Sequence, residues 1–403
     1  DGIFCRFVRY LDREEKETLK VLSIPRYWNR KLFEILIERF NTGYPATSFS
    51  ELHSFSFMEI DNKGKCSMHQ LMRKSLQDYQ DQDLKKEVHN FMLDFYNNQL
   101  KDLDIKAITH EHETALTEAF YHAKEVLELE ELFKWFISAS DPFDKAAFWQ
   151  LLTPIYEEML QIIEAKLEPE NIAVAAILND LGELYRHMGN YEKALQLYQR
   201  ALEINEKVLG PQHPGIAITL NNLALIYRYI ENYEKALEFN QRALEIREQA
   251  LGPQHQVVSQ TLNNLASVYF DIGDYKKALL HYQRALEIVE KLPEPQYLSV
   301  VAKLNNLARV YSKMRNYEKA MLLYQRALKI CEKMLGSQHP DVAITLNNIA
   351  VLYRQMENYE ESLLLSQRAL EIVEKKLGKN HPTTVTIRTN YYNWLLSKII
   401  KEE

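Results

Sequence analysis

Leu220-Asn221-Asn222-Leu223-Ala224, then Tyr227, then Asn232-Tyr233-Glu234-Lys235-Ala236, then Arg242-Ala243-Leu244: this wording returns along the chain at a constant interval. Its anchor stands at Asn190-Tyr191, Asn232-Tyr233, Asp274-Tyr275, Asn316-Tyr317 and Asn358-Tyr359, so neighbouring anchors always lie 42 residues apart. A fixed period of this length predicts a solenoid of stacked units, each too small to bury its own apolar face. Such a surface is suited to binding more than to chemistry.

Residues 216–252 serve as the reference unit. Leu220, Leu223, Ala224 and Tyr227 fall at i, i+3, i+4 and i+7, the apolar stripe of one helix. Asn232 follows as an N-cap, with Glu234 in the first turn of a second helix, where the helix dipole favours an acid. That helix presents Ala236, Leu237, Ala243, Leu244 and Ile246, and Gly252-Pro253 stops it. His213-Pro214, His339-Pro340 and His381-Pro382 occupy the matching loops and recur because the loop recurs.

With Leu-Ala-x-x-Tyr, a second-helix alanine and an Ala-Leu pair, residues 170–390 resemble the tetratricopeptide repeat. The standard unit has about 34 residues. The longer version here, with Leu-Gly-Pro-x-His-Pro and Leu-Asn-Asn-Leu-Ala, is similar to the kinesin-light-chain type. Leu292-Pro293-Glu294-Pro295 departs from it, and the loop there is expected to differ in shape.

At 100° per residue, Ile218, Asn222, Leu225 and Tyr229 point away from the stripe. The resemblance implies that this face lines a concave groove. Its recurring position reads Asp180, Asn222, Asn264, Asn306, Asn348 and Asn390. The first asparagines (Asn179, Asn221, Asn263, Asn305, Asn347) lie nearer the flank and are expected to satisfy backbone or neighbouring helices. A carboxamide pairs with any peptide unit regardless of sequence. Helices packed about 8–10 Å apart would meet about every third residue of a strand rising about 3.3 Å per residue. Variable positions beside the ladder would supply specificity: Glu183, Leu225, Ser267, Arg309 and Val351, and one turn on, His187, Tyr229, Asp271, Lys313 and Gln355. For the groove asparagines, ligand contact and a structural role both stand open. Tyr198, Tyr282 and Tyr324 on the second helices read as core.

The bulk numbers narrow the class. An apolar share of 46% over 403 residues excludes a disordered chain. A net charge of −7 leaves no electrostatic footprint for nucleic acid. Cys5, Cys66 and Cys331 are odd in number and far apart, which suits a reducing cytoplasm and no disulfide framework. No apolar run is long enough for a membrane span, and no signal-peptide pattern opens the chain. The opening Asp1-Gly2-Ile3-Phe4 lacks a methionine, so the chain is expected to be part of something longer.

Before the repeats, Asp12 can cap a helix through Leu22, and a second helical stretch runs from Tyr27 to Phe40. Ser48-x-x-Glu51 reads as a capping box opening a third helix. Phe55 to Met58 alternates, Asp61-Asn62-Lys63-Gly64 turns, and Lys65 to Met68 returns as a strand before a helix from Gln70. This is the order of a winged-helix domain, but its third helix holds Glu51 and His53 without a basic residue, which argues against DNA.

Leu22-Ser23-Ile24-Pro25-x-x-Trp28, Leu52-x-x-x-Ser56-Phe57 and Met68-His69-Gln70-Leu71-Met72-Arg73 resemble the winged-helix segment of STAND-class NTPases of the NB-ARC, NLR-like kind. That family's Met-His-Asp element sets its histidine against ADP phosphates; carried over, His69 is the nucleotide-sensing residue. Gln70 stands where the family has aspartate, so the latch would be altered. The resemblance implies ADP or ATP in the full-length protein, an upstream NTPase module, and oligomerisation only on activation, with immunity and transcriptional control as family outputs. None of the eleven glycines sits in Gly-x-x-x-x-Gly-Lys-Ser/Thr, so no enzyme activity and no cofactor are expected of this chain itself.

His110-Glu111-His112 with His122 lacks metalloprotease spacing and is set aside as a metal site. Trp135, Phe136, Phe143, Phe148 and Trp149 read as a connecting core, and Tyr156 lies 42 before Tyr198, marking a degenerate repeat. The expectation is therefore an all-α tetratricopeptide superhelix behind a small winged-helix domain with one β-hairpin. Its parts are a winged helix at 1–82, a helical connector at 83–168, five units at 169–385 and a capping helix at 386–403. The function expected is capture of a protein or peptide trigger in the groove, relayed to a nucleotide switch. A constitutive cargo adaptor, or a small-molecule or sugar sensor, is the alternative.

Overall fold

The computed structural model describes residues 10–62, 64–292, 297–379 and 381–402, with backbone alone for 396–402. Cys5, the opening residues and the Pro293-Glu294-Pro295 loop lie outside the described residues. The chain divides into two compact units, Asp1–Lys166 and Leu167–Glu403.

The first unit contains α1 (Arg13–Leu22), α2 (Arg30–Arg39), a 3-10 helix at Ala46–Ser54, β1 (Met58–Ile60), β2 (Cys66–Met68), α3 (Gln70–Asp78), α4 (Gln82–Gln99), α5 (His110–Val126), α6 (Leu129–Lys145) and α7 (Trp149–Lys166). Asp12 caps α1 as expected: its carboxylate accepts from the Glu15 amide at 2.7 Å, and the Glu15 carboxylate accepts from the Asp12 amide at 2.9 Å. The Ser48 capping box does not form. The chain is already turning at Ala46, where Pro45 is preset near φ −69°, and the Ser48 amide donates to the Pro45 carbonyl at 3.0 Å. The two strands pair antiparallel with Met58 opposite Met68, and Trp28 bridges the other edge of β2 through two bonds to Cys66 at 2.7 and 2.8 Å. Leu19, Leu22, Ile24, Trp28, Phe33 and Leu36 form the core beneath them, and Phe136 and Phe143 are buried further along the unit.

The second unit is an array of helix pairs: α8 (Ile172–His187) with α9 (Tyr191–Leu209), α10 (Ile216–Tyr229) with α11 (Tyr233–Leu251), α12 (Gln256–Ile272) with α13 (Tyr275–Glu290), α14 (Tyr297–Lys313) with α15 (Tyr317–Leu335), and α16 (Pro340–Gln355) with α17 (Tyr359–Leu377), followed by α18 (Pro382–Glu402). It is an all-α solenoid, and Leu220, Leu223, Ala224 and Tyr227 are buried as the stripe requires. Tyr198, Tyr282 and Tyr324 are core.

Every second helix starts on a capping carboxamide or carboxylate. Asn190, Asn232, Asp274, Asn316 and Asn358 accept from the amide three residues on, at 3.1–3.4 Å. The residue before each cap is left-handed: Gly189 and Gly273, but also Glu231, Arg315 and Glu357 at φ of 60° to 63°. The recurring loop histidines all turn their rings onto the backbone that follows, and His255 and His339 are N-caps. Nδ1 of His213, His255, His339 and His381 accepts from the amide two residues on, at 3.1–3.3 Å. Between repeats, Arg242, Arg284, Arg326 and Arg368 bind Glu206, Glu248, Glu290 and Glu332 of the preceding second helix. The departure at Leu292 has a visible consequence: α13 has 16 residues where α11 and α15 have 19. Pro293 stands where the others carry a helical leucine, and the residue before a proline is driven out of the α region.

Candidate functional site

The face opposite the buried stripe of the first helices is open. On α10, Ile218 is 57% and Tyr229 45% exposed, with Asn222 and Leu225 half-buried between them. Asp180, Asn264, Asn306, Asn348 and Asn390 are likewise half-buried at the recurring position. The array thus presents one polar side chain per repeat beside variable neighbours.

The asparagine pairs also join adjacent repeats. Asn221 Nδ2 donates to Thr261 Oγ1 at 3.3 Å, and Asn305 Nδ2 to Thr345 Oγ1 at 3.1 Å. Asn179 instead bonds its own helix, to the Ala175 carbonyl at 3.0 Å. Two second-position asparagines reach back: Asn306 Nδ2 to Asn263 Oδ1 at 2.9 Å, and Asn390 Nδ2 to Asn347 Oδ1 at 3.3 Å. The carboxamides of Asn222, Asn264 and Asn348 make no hydrogen bond among the described residues, so their two donors and one acceptor are left unpaired there. The buried threonines escape a reading of the sequence centred on the asparagines. Thr219, Thr261 and Thr345 nevertheless stand two residues before their asparagine pairs, a recurrence that could have found them.

The variable positions divide into spent and available groups. Ser267 is not on the open face: it is buried, and its hydroxyl lies 2.7 Å from the Tyr282 hydroxyl and donates to the Asn263 carbonyl. Glu183 accepts from Tyr198 at 2.9 Å, is gripped by Arg186, and lies 3.2 Å from His187 Nε2. Burial pushes its carboxyl up, but the Arg186 guanidinium and the Tyr198 hydroxyl outweigh burial and hold it below the ordinary range. Asp271 is paired with Arg228 at 2.5 Å, and Gln355 accepts from Ser312. Lys313 and Arg309 are exposed, the Arg309 guanidinium resting over the Phe270 ring at 4.3 Å. Tyr229 lies parallel to Tyr191, centroids 5.1 Å apart. The repeat pattern gives no hint of Phe270 and marks Tyr191 only as an anchor, not as the partner of Tyr229; each meets the open face from a neighbouring helix.

In the first unit, His69 caps α3. Its Nδ1 accepts from the Leu71 amide at 3.4 Å, the same two-residue reach as the loop histidines, and its ring is exposed. Its Nε2 makes no hydrogen bond among the described residues. Helix α3 is fixed from below: Arg73 donates to the carbonyls of Ser23 and Ile24 at 2.9 and 3.0 Å and to the Tyr121 hydroxyl at 2.6 Å. Nearby, Arg26 holds the buried carboxylate of Glu118, and His89 and His122 face each other, Nδ1 to Nδ1, at 3.0 Å. Burial lowers both imidazoles, His89 to about 4 and His122 to about 2, so both are neutral at pH 7. His122 is therefore tied into this pair, apart from the exposed His110. No group of three or more His, Cys, Asp or Glu able to hold a metal occurs among the described residues, and no described helix is long and apolar enough to cross a membrane.

The sequence matches the tetratricopeptide repeat family profile in overlapping stretches, 153–207, 173–249, 216–291, 257–333, 299–375 and 341–391. The chain belongs to the tetratricopeptide repeat family. No curated protein matches it. Among solved structures, a tetratricopeptide repeat protein from Parabacteroides merdae is 16% identical, with a TM-score of 0.52, covering 76% of this chain and 98% of that one. BtubC (BKLC) from P. vanneervenii is 22% identical with a TM-score of 0.46, covering 62% and 92%. A STAND signal-transduction ATPase with a tetratricopeptide repeat sensor, from Pyrococcus horikoshii, is 18% identical with a TM-score of 0.47; it covers all of this chain, which spans 66% of that one. As a tetratricopeptide array, the second unit has a protein-binding role, as sensor or scaffold.

Proposed function

We propose that this chain is the sensing and autoregulatory region of a STAND-type NTPase. The tetratricopeptide groove captures a protein or peptide trigger, and the first unit, an NB-ARC-like winged helix, relays capture to a nucleotide switch upstream, in the cytoplasm. The observation that carries the reading is the state of His69. One imidazole nitrogen is spent on capping α3, and the other is exposed and unbonded at a strand-to-helix corner, as a contact to ADP phosphate needs. Arg73 ties the same helix to α1 and α5, so a shift of those helices reaches His69. The trigger must bind the open arrangement more tightly than the closed one, since equal affinity for both shifts nothing.

The test is His69→Leu in the protein containing the nucleotide module. The proposal expects faster ADP exchange and raised basal activity; an unchanged resting state would sink it. A second reading, a constitutive scaffold for protein cargo, is favoured by one observation: the His69 cap has the geometry of His255 and His339, which need no nucleotide. Under that reading ADP neither binds nor matters.

A further inference from the structure

The second helices of the last three repeats carry a surface that neither the core nor the open face uses. Leu280, Leu322 and Leu364 hold equivalent places on α13, α15 and α17 and are 62%, 62% and 63% exposed. In the first two repeats the same place holds Gln196 and Glu238, as a solvated helix face requires. One exposed leucine is ordinary; three at one register on consecutive second helices make an apolar ridge.

Charge along this ridge changes sign. One turn before each leucine, at i−4 and i−3, stand Lys276 and Lys277, then Glu318 and Lys319, then Glu360 and Glu361, all exposed. The formal charge of the three pairs runs from +2 through 0 to −2. Of these six, only Lys277 has a charge partner among the described residues, Asp274 at 3.5 Å within its own first turn. On the far side of the leucines, Arg284, Arg326 and Arg368 are already neutralised by the preceding repeat. An apolar centre flanked by opposite charges at its two ends is complementary to itself turned through 180°.

We propose that this ridge is a two-fold interface on which a second copy of the chain docks antiparallel. Leu322 meets its counterpart at the axis, Leu280 lies towards Leu364 of the second copy, and Lys276–Lys277 faces Glu360–Glu361 of the second copy at both ends. A specific dimer buries about 800 Å² per partner, of which three leucines supply only the centre, so the association is weak and sensitive to salt. It departs from the expectation of assembly only on activation. It is also independent of the groove reading, because it uses the other helix of each repeat.

Sedimentation velocity on the whole chain tests it, with circular dichroism confirming that each variant keeps its helices. The parent is expected to show a reversible dimer at about 100 µM. Leu322→Glu should raise the dissociation constant at least about tenfold. Lys276→Glu with Lys277→Glu, and separately Glu360→Lys with Glu361→Lys, bring like charges to both ends and should each be monomeric alone. Mixed in equal amounts they bring opposite charges to both ends, and the dimer should return. A parent that stays monomeric, a dimer indifferent to Leu322→Glu, or a mixture that stays monomeric each overturns the proposal.

Discussion

In the array the helix caps and the arginine–glutamate links are made again in the next repeat, whereas in the first unit the main buried contacts are each made once. Five second helices begin on the same kind of cap, and four arginine–glutamate pairs link successive repeats. The first unit depends on single buried arrangements: Arg26 with Glu118, Arg73 on the Ser23 and Ile24 carbonyls, His89 against His122. A repeated contact can be lost locally, because each repeat leans only on its neighbours. A contact made once has no substitute, so its loss is felt by the whole unit.

The largest effect should come from Arg26→Ala. It strands the Glu118 carboxylate, which is 1% exposed, without its cation. Breaking a buried pair costs about 3–5 kcal/mol; with Arg26 itself a third exposed, about 3 kcal/mol is expected after discounting for solvent. Thermal unfolding should show the first unit melting early while the array's transition stays in place. A joint shift of both would mean that the two units unfold together and that the loss is not confined to the first.

Acid should act next and on the same unit. His89 and His122 have pKa values depressed in the folded state by burial, to about 4 and about 2. Their contribution to stability is present above the unfolded value near 6.5 and is lost as pH falls towards the folded values. Between pH 7 and 5 the loss is about 2 kcal/mol for the first proton taken up by the pair. His122→Phe should flatten the pH dependence of this unit's denaturant midpoint; an unchanged slope would remove the pair from the account.

In the array the expected effects are smaller and local. Asn316→Ala removes one cap and should cost about 1 kcal/mol, seen as faster amide exchange in the first turn of α15 and nowhere else. Arg315→Gly should work the other way. A non-glycine residue at φ 60° carries about 1 kcal/mol of strain, part of which is offset by the unfolded-state entropy of glycine, so a gain of about 0.5 kcal/mol in the denaturant midpoint is the outcome to look for.

The same contrast governs what was legible in the chain. The array could be read because it is its own control: a residue type recurring every 42 positions signals a role by recurrence alone, and the angular position of Asn222 and Tyr229 follows from one helix. Partners on other helices did not follow. Asn221 bonds Thr261, 40 residues on, and Ser267 turns inward because the Tyr282 hydroxyl lies beneath it; neither relation is visible in the pattern of a single helix. The first unit offered one copy of everything. Asp12 and the hairpin were readable because caps and turns are local, while Ser48 misled because Pro45 begins the turn three residues earlier. His69 shows the same limit: its bond to the amide two residues on, its exposed ring and its unbonded second nitrogen match those of His213, His255 and His381, so a nucleotide contact in the full-length protein is what separates a sensor from a corner.

The open face of the first helices is where a protein partner is expected to bind. The direct measurement is capture from a lysate of the native cell, comparing the parent chain with one carrying Asn222→Ala, Asn264→Ala and Asn348→Ala, the three carboxamides with no bond among the described residues. Both must first show the same helical content and melting. A partner held by the parent and lost by the variant is the predicted result. A partner held equally by both would contradict it and move recognition off this face.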